Sequence, residues 1–179
     1  MKKLCTLLFA LAVTGCGGGM EGDTAAAGFN PDQSLANRLE ALAAILAAEV
    51  KKKPPQLTLI VSIGGPSGGK PFYHLAGDTA KRGVFVDSVT NYRDEHPYID
   101  GVDLDWESPA AGALGTSGDG ESYADLLSDL RDALDELGME NGRKYLLTSA
   151  VNTGTYVVSK INYRRAQQYI DFFFAMTYE

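Results

Sequence analysis

The run Asp100-Gly101-Val102-Asp103-Leu104-Asp105-Trp106-Glu107 limits the folds open to this chain of 179 residues more than any other segment. Its alternation is that of a β-strand, whose successive side chains point to opposite faces. Asp103, Asp105 and Glu107 therefore share one face, and Val102, Leu104 and Trp106 share the other. A solvated strand has no need of Val, Leu and Trp opposite its acids. The apolar face calls for helical cover, as in a parallel α/β sheet, and the acids then point into the interior or mouth of a barrel. Same-face neighbours lie roughly 6.6 Å apart, so two ionised carboxylates repel by about 2–3 kcal/mol at an effective dielectric near 20. That is about 2 pKa units, enough to keep one of the three acids protonated near neutral pH. A proton held on one acid beside an ionised neighbour suits the cleavage of a glycosidic bond. The same carboxylates could instead bind a divalent cation, as hard metals prefer, or form a solvated face. Asp100, three residues before Asp103, is out of phase with the group and is expected at the strand entrance in a structural role.

The rest of the chain alternates strand and helix. Asp32 or Ser34 can cap a helix over about 35–52, with Leu35, Leu39, Leu42, Ile45 and Leu46 on one stripe and Pro54-Pro55 as its stop. A continuous apolar strand is expected over 57–63, then a helix over 79–95 that presents Phe85, Val89 and Tyr92, then the acidic strand over about 98–107. Residues 108–121 read as a loop. A helix over 123–137 carries Leu126, Leu127, Leu130, Leu134 and Leu137, and Gly138 suits its C-terminal cap. Further strands are expected over 144–151 and 170–178, with a short helix after Asn162. Apolar strands alternating with helices indicate a parallel sheet. His74 and His96 lack partner spacing and read as solvated.

The N-terminus has a different character. Met1-Lys2-Lys3 and the apolar stretch 4–13 have the layout of a secretory signal, too short to cross a bilayer. Residues 17–30 are rich in Gly and Ala and read as a flexible tether. The expected organisation is a leader over 1–15, a tether over 16–31 and one domain over 32–179. Cys5 and Cys16 are the only cysteines, so cleavage before Cys16 leaves no thiol pair for a disulfide or a Cys-ligated metal. The balance of 23 acidic against 16 basic residues argues against nucleic acid, whereas a neutral polysaccharide asks for no particular sign.

The pattern Asp-x-x-Asp-x-Asp-x-Glu formed by Asp100, Asp103, Asp105 and Glu107 resembles the signature of glycoside hydrolase family 18, the chitinases and their relatives. Leu59-Ile60-Val61-Ser62-Ile63-Gly64-Gly65 is similar to that family's third barrel strand, which ends in Ser-x-Gly-Gly. Met176-Thr177-Tyr178-Glu179 is similar to its sixth-strand Met-x-Tyr-Asp, with Glu179 where Asp is usual. The resemblance runs from about residue 57 to 179. It implies an α/β fold that is a partial (β/α)8 TIM barrel, with about four parallel strands and their helices corresponding to family strands three to six. A closed barrel usually takes about 250 residues.

The resemblance also implies a site. Glu107 would be general acid and then base, Asp105 would orient the substrate's acetamide, Asp103 would share a proton behind it, and Tyr178 would donate its hydroxyl to the acetamido oxygen. Glu179, Ser62 and Met176 would stand on the substrate-binding side. The implied partner is chitin or another N-acetylglucosamine-containing glycan, cleaved with retention and without metal or cofactor. A non-catalytic or vestigial carbohydrate-binding fragment, and an endo-β-N-acetylglucosaminidase acting on glycans, remain alternatives. Val13-Thr14-Gly15-Cys16 resembles a bacterial lipobox. That implies a lipid on Cys16, a membrane contact through this anchor alone and an outer-membrane or cell-surface location, with plain secretion as the alternative.

Overall fold

Leu7–Leu11 (β1), Leu59–Gly64 (β2), Gly101–Asp105 (β3), Leu146–Asn152 (β4) and Phe172–Met176 (β5) lie side by side in chain order, every neighbouring pair parallel. The structure is a computed structural model that describes residues 7–11, 44–45, 47–49, 52 and 58–177. The four expected strands are β2 to β5, and the expected partial barrel with helices is the fold observed. Strands added one after another with helical crossovers follow the path of a (β/α) barrel wall. β1 is an addition to that expectation. It comes from the apolar stretch assigned to the leader and pairs Leu7 with Leu59 through Leu11 with Ile63.

Between the strands run α1 (Gly65–Gly68), α2 (Phe72–Leu75), α3 (Thr79–Glu95), α4 (Asp119–Asn141), α5 (Thr155–Val158) and α6 (Tyr163–Ala166). The core forms where one face of the sheet meets α3 and α4. Val61, Val102, Leu104, Trp106 and Leu147 pack there with Val86, Val89, Leu126, Leu127, Leu130 and Leu134. Val102, Leu104 and Trp106 are at most 2% exposed, as their shared face requires.

Asp78 caps α3 by accepting from the amides of Ala80 and Lys81. The buried face of this helix is Arg82, Val86, Val89 and Arg93, so the expected stripe through Phe85 and Tyr92 is displaced to the margin. Two arginines can be buried because each has partners. Arg82 donates to Asp129 and to the Ala76 carbonyl, and the Arg93 guanidinium sits 4.2 Å from the centroid of the Tyr145 ring.

Gly138 is not the C-terminal cap expected of α4. The helix passes through it and ends at Gly142, which takes the left-handed conformation at φ 64°. Gly138 serves close approach instead, because a β-carbon there would lie 2.5 Å from the Arg143 carbonyl oxygen. α4 also begins at Asp119, inside the expected loop.

Of the helix expected over 35–52, residues 44–45 and 47–49 are helical. Ile45 is 61% exposed while Ala47 is buried, so the stripe drawn through Ile45 lies on the wrong side. The rest of that stripe, Pro54-Pro55 and the tether lie outside the described residues. His96 is not simply solvated either: half-buried, it stacks on Tyr92 at 4.1 Å, with Nδ1 2.7 Å from the Tyr92 carbonyl oxygen. It takes up one of the carbonyls that a helix end leaves unpaired.

Candidate active site

Three adjacent strands bring a polar side chain to the same level of the other sheet face, because Ser62, Asp103 and Thr148 are in register across β2, β3 and β4. Asp103 is fully buried. Its Oδ2 accepts from the Ser62 hydroxyl at 2.7 Å and its Oδ1 from the Thr148 hydroxyl at 2.6 Å. Burial pushes its carboxyl above the usual range, and the two hydroxyl donors oppose that rise.

Two residues further along β3, Asp105 has its pKa raised to about 6. Burial is the largest cause, followed by the charges of Glu107 and Asp103 and by a side-chain hydrogen bond with Glu107. The Oδ1 atom of Asp105 is buried and has no hydrogen-bond partner among the described residues. Such an atom is costly to bury unless something supplies a donor.

Glu107 lies two residues beyond the end of β3, half-buried, and stays beside Asp105 although the regular strand has ended. The backbone after it is held on both sides. The Tyr73 hydroxyl reaches the carbonyls of Ser108 at 2.8 Å and Ala111 at 3.0 Å, while Asp119 accepts from the amides of Ala110 and Thr116 and from the Thr116 hydroxyl. On the helix-facing side, Tyr123 donates to the Ser149 hydroxyl and Ser149 to the Leu104 carbonyl, tying α4, β4 and β3 together between the two acids.

The structure therefore brings together Asp103, Asp105, Glu107 and Ser62. Met176 is the last residue of β5, opposite Asn152, and its carbonyl accepts from the Thr153 hydroxyl at 3.0 Å, at the same end of the sheet as Asp105. Tyr178, Glu179 and Cys16 lie outside the described residues. Asp100 holds the strand entrance, as expected, by accepting from the Leu59 amide at 2.8 Å and pairing with Arg143. Thr148, Tyr73 and Asp119 were not legible as site residues. For Thr148 the one available signal was its place in an apolar strand following the acidic one. Among the described residues no group of three His, Cys, Asp or Glu side chains is arranged to hold a metal ion, and both Asp103 oxygens are already engaged by hydroxyls.

The family model for glycosyl hydrolases family 18 matches residues 9–179. Chitinase A of Pseudoalteromonas piscicida is 40% identical over 135 residues, which are 73% of this chain and 16% of that protein. A chitinase of Autographa californica nuclear polyhedrosis virus is 42% identical over 130 residues, 70% of this chain and 23% of that protein. Among solved structures, a glycoside hydrolase family 18 N-acetylglucosaminidase from Paenibacillus barengoltzii superposes with a TM-score of 0.70 at 35% identity, over 75% of this chain and 40% of that one. The chain spans about a sixth of the length of the first of these two chitinases and about a quarter of the second.

Proposed function

This chain belongs to glycoside hydrolase family 18, and from that premise we propose that it carries the acid-bearing part of a chitinase-like site for retaining hydrolysis of β-1,4-linked N-acetylglucosamine polymers. The observation that supports this most directly is the row of Asp103, Asp105 and Glu107 along and just beyond β3, with Asp103 held by the Ser62 and Thr148 hydroxyls and the Asp105 carboxyl raised by burial and by the charges of its two neighbours.

Glu107 gives its proton to the glycosidic oxygen as the bond from that oxygen to the anomeric carbon breaks. The substrate's own 2-acetamido oxygen bonds to the anomeric carbon, giving an oxazolinium ion without a protein nucleophile. Asp105 accepts from the acetamide N–H and offsets the positive charge, while Asp103 shares the proton that Asp105 gives up. Tyr178 donates to the acetamido oxygen. Glu107, now a carboxylate, takes a proton from water as that water attacks the anomeric carbon and the bond from the acetamido oxygen to that carbon breaks, which restores the acetamide and retains configuration. Glu179 and Met176 stand on the sugar-binding side, and Ser62 acts from beneath Asp103.

In a chain completed to eight strands, Glu107→Gln keeps chitooligosaccharide binding and lowers turnover by about 10²–10⁴-fold, the usual worth of a general acid. Retention of half the activity overturns the assignment. One observation favours the vestigial, carbohydrate-binding reading for the chain on its own. Phe172, on the sheet face that carries the acids, is 46% exposed, so the far side of a cleft is not supplied by the described residues. Turnover of a fluorogenic chitobioside by this chain alone is then at background, and ordinary chitinase turnover contradicts that reading.

At the other end, residues 1–15 are the leader, Cys16 is the lipidated residue, 16–31 form the tether and 32–179 the domain, which places the domain on the outer membrane or cell surface. Labelled palmitate enters the wild type and not Cys16→Ser in a bacterial host that processes lipoproteins. Equal labelling of the two removes the lipobox from the account.

A further inference from the structure

Alternation along β4 puts Thr148, Ala150 and Asn152 on the sheet face that carries the acids. Leu104 of β3 pairs with Ser149 of β4, and three residues on from each come Glu107 and Asn152, which sets these two at one height. On its other side Asn152 pairs with Met176. An exposed carboxamide therefore stands between the acid read as the proton donor and the methionine read as part of the sugar-binding side.

This carboxamide has one orientation. Asn152 Oδ1 accepts from the Gly154 amide at 2.7 Å, and a backbone N–H can only donate, so the oxygen is turned toward the loop and the NH2 away from it. A β-carbon at Gly154 would come 3.0 Å from Oδ1, so glycine gives that oxygen its room, and the Thr153 hydroxyl ties the same loop to the Met176 carbonyl at 3.0 Å. Among the described residues the NH2 forms no hydrogen bond. Holding Gly154 needs only the oxygen, which Asp supplies as well as Asn, so the NH2 is the part of the side chain that the turn does not use. We propose that Asn152 is a substrate-contact residue, whose NH2 donates to an acceptor oxygen of the N-acetylglucosamine chain next to the bond that Glu107 serves; this rests on reading the acid-bearing face as a chitinase-like site. Ionised carboxylates can only accept, whereas an acetylated sugar chain is rich in ether and carbonyl oxygens that need a donor. A donor fixed beside the acids supplies what they lack.

The full chain, labelled with nitrogen-15, is titrated with chitotetraose and followed by NMR in the wild type, Asn152→Asp, Asn152→Ala and Gly154→Ala. In the wild type the Asn152 NH2 resonances move together with the backbone resonances of residues 105–107. Asn152→Asp keeps the oxygen that holds the turn and loses the donor. Its melting temperature stays at the wild-type value while its affinity falls by about three- to tenfold, the usual worth of one hydrogen bond. Asn152→Ala loses affinity and stability together. Gly154→Ala leaves Asn152 in place but crowds its oxygen, which turns the amide aside and weakens binding, so a failure of Asn152→Asp to fold still leaves a test. A residue that only forms the turn gives another pattern: Asn152→Asp binds as the wild type does, and Asn152→Ala loses stability alone. That pattern, or an Asn152 NH2 that stays still while residues 105–107 respond, overturns the proposal and leaves the chitinase-like reading standing. Residues 105–107 that do not respond to the oligosaccharide overturn both.

Discussion

Gly64 lies so close to Asp105 that a β-carbon added to it would stand 2.1 Å from the Asp105 carbonyl oxygen, and Gly64 itself has φ 122°, a conformation side chains rarely adopt. The first glycine of Ser-x-Gly-Gly is thus what allows β2 to end against the strand that carries the acids. Gly64→Ala costs about 2–4 kcal/mol through backbone strain and a clash with no flexible side chain to yield. Urea denaturation measures the loss, and a cost below about 1 kcal/mol contradicts this packing.

Stability should respond to pH through Asp105. Its folded pKa of about 6 stands above the unfolded 3.8, so between those values the folded state binds more protons and stability falls as pH rises. Above pH 6 the group is charged, half-buried and repelled by its neighbours. Asp105→Asn is therefore stabilising by about 1–2 kcal/mol at pH 8, a figure already reduced for solvent screening, and nearly neutral at pH 3.5. Denaturation curves at the two pH values check this, and a stabilisation that is equal at both, or larger in acid, contradicts the sign.

Tyr73 reaches two carbonyls in the loop after Glu107, and its ring packs edge-on against Trp106 at 5.2 Å. Tyr73→Phe keeps the ring and loses the donor, at about 1 kcal/mol of stability. In a completed barrel kcat falls by about tenfold or more with little change in KM, because the acid is displaced while the sugar still binds. A changed KM with constant kcat would assign Tyr73 to substrate contact instead.

On β5, Phe172 and Phe174 share the face that bears the acids, while Phe173 packs outward with Tyr163 at 5.6 Å. A partly exposed aromatic strand at a sheet edge is a template for association. Phe172→Lys shifts the chain toward monomer in light scattering at raised concentration, whereas Phe173→Lys unfolds it. Identical behaviour of the two variants argues against this division of faces.

The strands were legible because residues such as Val102, Leu104 and Trp106 alternate with acids, and alternation fixes both the element and its faces. Asp103, Asp105 and Glu107 came from the same pattern. Thr148 did not, since a threonine in an apolar strand means nothing until register sets it opposite Asp103. Arg82 and Arg93 escaped for a related reason: an arginine reads as solvated unless its partners, here Asp129, the Ala76 carbonyl and the Tyr145 ring, are known to converge. Gly138 and Gly142 look alike in sequence. One is required for the approach of Arg143 and the other for a left-handed turn, a distinction that exists only in three dimensions.

Leu7–Leu11 supply β1 in the fold and are also the middle of the proposed leader. The two uses exclude each other, because a peptidase cutting before Cys16 would carry the strand away and leave the backbone of β2 from Leu59 to Ile63 without its neighbour. If residues 1–15 are removed as proposed, folding and maturation compete for one pentapeptide. Whichever happens first decides whether Ser62, and with it one of the two hydroxyls on Asp103, sits on an interior strand or on a bare rim.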